Sequence, residues 1–174
     1  MIGSYLDPRT AKMTVGQWCD GWLEGYVTRR PSTVRQARVH IKAIKQEFAD
    51  KELSAVRPSD ARSWTVRLSG EYAPSTTYTV YRRFAQIMGD AVHDGMIPRS
   101  SCSRRTSPGQ ARPRPYVATT EQVWRLYDSL PEGLRPAILL GAFVGLRVAE
   151  ADALRVSDVD FMRGVVNPTI QYPE

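Results

Sequence analysis

The chain has 174 residues, and 42% of them are hydrophobic, which is enough for the core of one ordinary domain or of two small ones. Its 24 Lys and Arg against 18 Asp and Glu give a net charge of +6, and this favours a polyanionic partner such as nucleic acid. The sequence has no apolar run of membrane-spanning length and no leader pattern, so we expect a soluble, cytoplasmic protein. The two cysteines and two histidines complete no metal spacing and no disulfide framework.

The N-terminal part contains two amphipathic patterns with helix-start signals. After a lead at residues 1–13, Thr14 and Gln17 fit a capping box, and apolar residues then recur at helical spacing to Tyr26 or Thr28. Thr33 repeats the capping pattern and predicts the start of a second helix. The apolar stripe of this second helix consists of Val34, Ala37, Ile41, Ile44 and Phe48.

Two further helices complete the predicted N-terminal domain. Pro58 opens a shorter helix that Gly70 closes, and Pro74 opens a long helix that Gly95 stops. With short connections and no strand signal, these four helices predict a compact all-α domain at residues 14–98.

Several cations in this domain are candidate DNA contacts. At about 100° per residue, four of them fall within one narrow sector of the second helix, beside its apolar stripe. We name these four residues the basic stripe: Arg35, Arg38, Lys42 and Lys45. On the fourth helix, the side chains of Arg82 and Arg83 are predicted to point away from the apolar side that faces the core. The alternative for such charges is a solvated helix face.

Residues 99–118 predict a basic interdomain linker, because arginines stand there among Ser, Pro, Gly and Gln. We expect this stretch to be extended. Between two DNA-facing domains it could follow the phosphate backbone, and its candidate contacts are Arg104, Arg105, Arg112 and Arg114. The alternative is a disordered, solvated connector.

A second domain is predicted at residues 119–174. Its first helix begins after Thr119, and the apolar run from Pro136 to Val144 predicts a centrally buried helix that Gly145 terminates. A short helix over 148–154 follows, and residues 164–170 read as one strand, broken or placed at a sheet edge by Pro168. The four tryptophans are predicted to be core residues, since each lies on an apolar stripe: Trp18, Trp22, Trp64 and Trp124.

The segment Gly145-Leu146-Arg147-Val148-Ala149-Glu150 places an arginine and a glutamate at the start of a helix. Leu154-Arg155 and Ser157-Asp158-Val159-Asp160 follow it. Together they resemble the first active-site box of the tyrosine recombinases, the phage integrase family. The resemblance implies that Arg147 is the first catalytic arginine and that Glu150 orients basic neighbours. The alternative for this pair is a salt bridge at a helix start.

The resemblance also implies a fold and a partner. The fold is mainly α: a four-helix, SAM-like core-binding domain, the basic linker, and the helical start of an incomplete α+β catalytic domain. The implied partner is double-stranded attachment-site DNA, which a tyrosine cleaves and rejoins without metal or cofactor. The resemblance implies that the full-length protein forms tetramers on DNA, whereas we expect this chain alone to be monomeric or weakly associated. Four acidic residues spread around a helix and a turn, and we exclude them as a metal site: Glu150, Asp152, Asp158 and Asp160.

The rest of the family's catalytic set has no match in this sequence. The family continues with a lysine on a β-hairpin, a His-x-x-Arg box, a second His or Trp, and a nucleophilic tyrosine. Here the two histidines, His40 and His93, lie in the N-terminal domain, and Tyr172 lacks a catalytic context. We therefore expect DNA binding without cleavage. A short DNA-binding regulator or decoy of a recombinase, and a helical protein-interaction module, stay open as alternatives.

Overall fold

The structure is a computed structural model that describes residues 12–110 and 115–171. The chain divides into two compact units, Met1–Pro113 and Arg114–Glu174. Within the described ranges, no helix is long and apolar enough to cross a membrane. The limits predicted for the two domains, 14–98 and 119–174, stay predictions. The lead before residue 12 and the candidates Arg112, Arg114 and Tyr172 lie outside the described residues.

The first unit contains the four helices that the sequence predicts. They are α1 (Val15–Tyr26), α2 (Pro31–Phe48), α3 (Pro58–Glu71) and α4 (Pro74–His93), with a short 3-10 helix at Leu53–Ala55 between α2 and α3. Helix α4 packs against each of the other three, and α1 also packs against α2. The prediction of a mainly helical fold is confirmed.

Local signals set most of the helix ends. The Thr14 hydroxyl accepts a hydrogen bond from the Gln17 amide (3.2 Å), and the Gln17 side chain accepts one from the Thr14 amide (3.1 Å), which completes the predicted capping box. The predicted start of α2 at Thr33 is wrong. Pro31 occupies the first helical position instead, where its fixed φ suits the helix and its missing N–H is not needed.

The predicted end of α3 also differs from the structure. Gly70 lies inside α3, which continues to Glu71. The backbone becomes extended only at Tyr72. Gly95, in contrast, adopts a φ of +72° just after α4, a conformation that glycine tolerates best. The predicted stop at Gly95 is confirmed.

Aromatic rings form the centre of the first unit. Phe48 of α2 stacks on Phe84 of α4 with ring centroids 4.9 Å apart, and Trp64 of α3 meets both rings edge-on at 5.3 and 5.2 Å. Trp64 is buried as predicted, whereas Trp18 and Trp22 are half-buried. These contacts tie three helices to one core, and the predicted apolar stripe of α2 is buried in full.

The start of α1 lies close to the end of α2. The amides of Val15 and Gly16 donate to the carbonyls of Lys51 (2.9 Å) and Ala49 (3.0 Å). A Cβ atom at Gly16 would stand 2.9 Å from the Ala49 carbonyl oxygen, so this approach requires glycine.

Part of the predicted linker folds onto the first unit. The Tyr81 hydroxyl lies 2.9 Å from the Ser103 carbonyl and 2.5 Å from the Thr106 hydroxyl, and it accepts a hydrogen bond from the Ser103 amide (3.1 Å). Ser101 and Thr106 are buried. The prediction of an extended connector is therefore wrong for residues 101–107, because a buried tyrosine supplies hydrogen bonds that hold a turn there.

The second unit begins with α5 (Thr120–Ser129), which Thr119 caps as predicted. A 3-10 helix at Glu132–Leu134 leads into α6 (Arg135–Leu139), which continues as a π-helical turn over Leu140–Val144. The prediction that this apolar helix is buried is wrong. None of its residues is buried, and Phe143 is 58% exposed, because the short helices that contact it leave part of its apolar surface uncovered.

The remainder of the second unit is short. Helix α7 (Val148–Ala153) is followed by a 3-10 helix at Val156–Asp158 and an antiparallel hairpin of β1 (Val159–Asp160) and β2 (Val165–Val166). The predicted strand over 164–170 is thus only two residues long and ends before Pro168. Its partner β1 was not predicted from the sequence. Trp124, predicted as core, is 46% exposed.

Candidate functional site

The basic stripe lies on α2 as predicted, and its members differ in how they are paired. Arg35, Arg38 and Lys42 are exposed, and none of them has an ion-pair partner among the described residues. Lys45 is half-buried, and both carboxylate oxygens of Asp20 on α1 lie 2.8 Å from its ammonium. Since Asp20 offsets the charge of Lys45, three free cations remain for an external anion.

The stripe borders α1. Leu23 of α1, with Ile41 and Gln46 of α2, completes a shallow groove beside Arg38, Lys42 and Lys45. Apolar side chains there cover the stems of the long basic residues, whose charged ends extend to solvent. The stripe is therefore a cationic edge along the junction of two helices.

The two arginines of α4 have different surroundings. Arg82 is exposed and has no hydrogen bond among the described residues. Arg83 donates to the Tyr26 hydroxyl (2.9 Å) and to the Gln86 side chain (2.8 Å), and its guanidinium lies over the rings of Tyr26 and Trp22 at 5.0 and 5.6 Å. Arg83 thus lies outside the buried core, as expected, but aromatic rings of α1 hold its guanidinium in place.

A second polar groove lies between α2 and α4, on the other flank of α2. We name it the α2–α4 groove, and its lining consists of His40, Tyr78, Thr79, Arg82, Arg83 and Gln86. Apart from the two arginines, sequence reasoning missed these residues. The spacing of Tyr78, Arg82 and Gln86, four residues apart on one face of a helix, is the signal that could have found them.

The other predicted contacts lie beyond α4. Arg104 and Arg105 are exposed on the turn that Tyr81 holds, and neither side chain has an ion-pair partner among the described residues. The Arg105 amide donates to the Ser103 hydroxyl (3.3 Å), so the backbone of this turn is fixed while the guanidinium groups stay free.

In the second unit, the structure brings Arg147 and Glu150 together. Gly145 ends the π-helical turn with a φ of +80°, and Arg147 then occupies the N-cap position of α7. The Glu150 carboxylate accepts hydrogen bonds from the Arg147 amide (2.8 Å) and from its guanidinium (3.0 Å). The salt bridge at a helix start, which the spacing allows, is thus present.

This arrangement fixes the carboxylate and leaves the cation available. Two hydrogen bonds from Arg147 lower the pKa of Glu150 below its ordinary value of 4.5. The bond from the backbone amide has the larger effect, and the bond from the guanidinium has the smaller one. The Arg147 side chain is 81% exposed, against 21% for Glu150. A guanidinium has five N–H donors, so the single hydrogen bond to Glu150 leaves others free for an outside acceptor.

The acidic residues near this segment have structural roles. Asp158 accepts hydrogen bonds from the Arg155 amide (3.0 Å) and the Thr169 hydroxyl (3.3 Å). Asp160 accepts from the amides of Met162 (3.1 Å) and Arg163 (3.0 Å) in the hairpin turn. Across residues 12–110 and 115–171, no group of three or more His, Cys, Asp or Glu side chains is placed to hold a metal ion.

Among curated proteins, the chain is similar to the "Putative prophage phiRv2 integrase" of Mycobacterium tuberculosis, from strains CDC 1551 / Oshkosh and ATCC 25618 / H37Rv. Identity is 24% over 149 residues in both, covering 83% of this chain and 39% of the relative. The chain therefore spans well under half the length of these relatives. No protein-family model matches it.

Solved structures share the fold over most of the chain. A lambda integrase dimer bound to a COC′ core site superposes with a TM-score of 0.75 and 20% identity over 91% of this chain and 48% of that one. The Tn1549 transposon integrase in complex with a circular intermediate DNA gives 0.77 and 18% over 88% and 52%. The resemblance predicted from the Gly145–Glu150 segment is confirmed at the level of the fold: this chain has the fold of these two integrases, over about half of the length of each.

Proposed function

We propose that this chain binds double-stranded DNA in site-specific recombination and supplies Arg147 to the active site of a tyrosine recombinase. The observation that carries the proposal is the position of Arg147. In a chain with the integrase fold, it is exposed at a helix start and fixed by a carboxylate that is itself hydrogen-bonded to the backbone. The neighbouring integrases were solved with DNA, which agrees with this proposal.

DNA binding would use the basic stripe. Arg35, Arg38 and Lys42 present free cations along one helix edge, and each can replace a counterion at a backbone phosphate. Lys45 contributes less, because Asp20 already neutralises it. Arg104 and Arg105, free on a fixed turn, would add contacts to the same backbone.

Arg147 would act on the phosphate that reacts. In the family's reaction a tyrosine oxygen forms a bond to phosphorus while the bond to the deoxyribose 5′ oxygen breaks, and negative charge builds on the non-bridging oxygens. A guanidinium offers parallel N–H donors to those oxygens. Glu150 is a positioning residue in this proposal, since it holds the Arg147 side chain through one hydrogen bond and leaves other N–H donors of the guanidinium free.

The salt dependence of DNA affinity tests the basic stripe. We expect the double variant Arg38→Ala/Lys42→Ala to reduce the slope of log K against log salt by roughly two units, because two phosphate contacts are lost. The matched control is Arg62→Ala, which removes an exposed arginine of α3 and should leave the slope unchanged. Equal slopes for the double variant and the wild type would exclude the stripe as a contact surface.

A second experiment tests for strand cleavage. The protein is incubated with DNA, the mixture is denatured, and electrophoresis shows whether protein stays covalently attached to the DNA. We expect no covalent adduct between the 174-residue chain and a nicked duplex, because the family's remaining catalytic residues have no match in this sequence. A protein–DNA adduct that survives denaturation would contradict this expectation. Salt-insensitive binding in the first experiment would contradict the DNA-binding proposal itself.

A further inference from the structure

One buried hydroxyl holds the turn that follows α4. Tyr81 of α4 is 3% exposed, and its hydroxyl oxygen lies 2.9 Å from the Ser103 carbonyl oxygen and 2.5 Å from the Thr106 hydroxyl oxygen. The same hydroxyl accepts a hydrogen bond from the Ser103 amide (3.1 Å). We name these three residues the Tyr81 cluster.

The Tyr81 cluster joins the turn to the helical core. Within the turn, the Thr106 hydroxyl accepts a hydrogen bond from the Ser103 amide (2.9 Å), and the amides of Thr106 and Ser107 donate to the Ser103 carbonyl (both 3.1 Å). Among the described residues, every hydrogen bond between residues 103–107 and a helix of the first unit involves the Tyr81 hydroxyl. Loss of this one hydroxyl would therefore free the turn from α4 without removing the turn's own hydrogen bonds.

Two exposed cations lie between the anchored residues of this turn. Arg104 and Arg105 separate Ser103 from Thr106, and neither guanidinium has an ion-pair partner in the part of the chain that the structure describes. No acidic residue occurs in the sequence between Asp94 and Glu121, so no neighbouring carboxylate along the chain offsets their charge. A fixed backbone on both sides limits the positions that the two guanidinium groups can reach.

A backbone that is already fixed loses less conformational entropy when its side chains bind a ligand. We propose that Tyr81 is a positioning residue for DNA binding: its hydroxyl holds the turn so that Arg104 and Arg105 meet backbone phosphates in a conformation that they already have. This inference rests on the proposed DNA contacts of the two arginines. It adds a buried residue that acts through the turn and touches no DNA.

The first test is the Kd for duplex DNA at fixed salt. Tyr81→Phe should raise this Kd about three- to tenfold, because the freed turn must be ordered when it binds. The matched control is Tyr72→Phe, since the half-exposed Tyr72 hydroxyl has no hydrogen-bond partner among the described residues. An unchanged Kd in a folded Tyr81→Phe variant would overturn the proposal.

The second test separates positioning from a general loss of stability. In the background Arg104→Ala/Arg105→Ala, Tyr81→Phe should change the Kd by less than about twofold, because the side chains that it positions are gone. In the background Arg38→Ala/Lys42→Ala it should keep its full effect, because the basic stripe lies on α2. An equal loss of affinity in all three backgrounds would show that Tyr81 acts only through stability, and would overturn the proposal.

A variant on the turn itself checks the same contact from the other side. Thr106→Val keeps the shape of the side chain but removes the hydroxyl that contacts Tyr81 and Ser103, so it should raise the Kd as Tyr81→Phe does, including where Tyr81→Phe does not fold. An unchanged Kd in Thr106→Val would contradict the proposal. If Arg104→Ala/Arg105→Ala binds DNA like the wild type while Arg38→Ala/Lys42→Ala binds more weakly, the role of Tyr81 is wrong and DNA binding by the basic stripe stands.

Discussion

The two units of the chain contain similar helical patterns but bury them very differently. Helices α1 and α5 both begin with a Thr–Gln capping box and carry an apolar face. In the first unit α4 packs against three helices, and rings such as Phe84 are fully buried. In the described part of the second unit, Ala153 is the one buried residue. An amphipathic pattern therefore predicts a helix, while burial depends on how many elements meet its apolar face.

The apolar side chains of the second unit gather at its surface. Trp124 lies 5.5 Å from Tyr127 and 6.2 Å from Phe143, measured between ring centroids, yet both Trp124 and Phe143 are about half exposed. These rings contact each other without excluding water from both faces. Their contribution to stability should accordingly be much smaller than that of the rings in the first unit.

The largest difference between the two units is expected when one aromatic ring in each is truncated. Phe84→Ala should lower the free energy of unfolding by about 3–5 kcal/mol, because it leaves a cavity against Phe48 and Trp64. Phe143→Ala should lower it by less than about 1 kcal/mol, since the ring is mostly in water. Urea denaturation of both variants measures the difference. Similar losses would show that Phe143 is buried in solution.

A smaller effect is expected where the first unit holds the turn after α4. Tyr81→Phe removes the hydroxyl that bonds Ser103 and Thr106, and it should cost about 1–3 kcal/mol because buried partners are left unsatisfied. Hydrogen exchange at the Ser103 amide should accelerate. Tyr78→Phe is the control, because the Tyr78 hydroxyl has no hydrogen bond in the described structure. An unchanged Ser103 amide in Tyr81→Phe would mean that the turn is held by other contacts.

The smallest effect is expected at the helix start in the second unit. The folded-state pKa of Glu150 is lowered, so its contribution to stability is present above the ordinary value of 4.5 and is lost as pH falls through the lowered folded value. Glu150→Gln should therefore melt below the wild type at neutral pH, and the gap should close in acid. Thermal melts across this pH range measure the gap. Glu132→Gln, which breaks no hydrogen bond among the described residues, is the control; a gap of the same size at every pH would contradict the prediction.

Much of the fold could be predicted from the sequence because the residues that set the helix ends lie next to those ends in the chain. Capping at Thr14 and Thr119, the stop at Gly95, and the turn at Gly145 each depend on residues within one helical turn. The Arg147–Glu150 pair belongs to the same class, since residues three apart on a helix are neighbours. This pair and the turn at Gly145 belong to the segment on which the resemblance rests, and the shared fold confirms that resemblance.

The candidate DNA contacts were only partly predictable. The sequence placed the basic stripe on one side of α2, because helical periodicity fixes which residues share a face. The sequence did not indicate that Asp20, twenty-five residues before Lys45, would form an ion pair with Lys45 and offset its charge. It also did not indicate that the packing of α1 against α4 would hold the Arg83 guanidinium over the rings of Tyr26 and Trp22.

By itself the sequence determined where most of the helices begin, which residues share a helix face, and that Arg147 follows a glycine that ends a helix. Hydrogen bonds and side-chain periods that span three or four residues fix these features whatever the rest of the chain does. The tertiary structure alone decided which cations stay free, that His40 is buried beside two arginines, and that no residue of Pro136–Val144 is fully buried. Those outcomes depend on which helices pack together, and residues far apart in sequence set that.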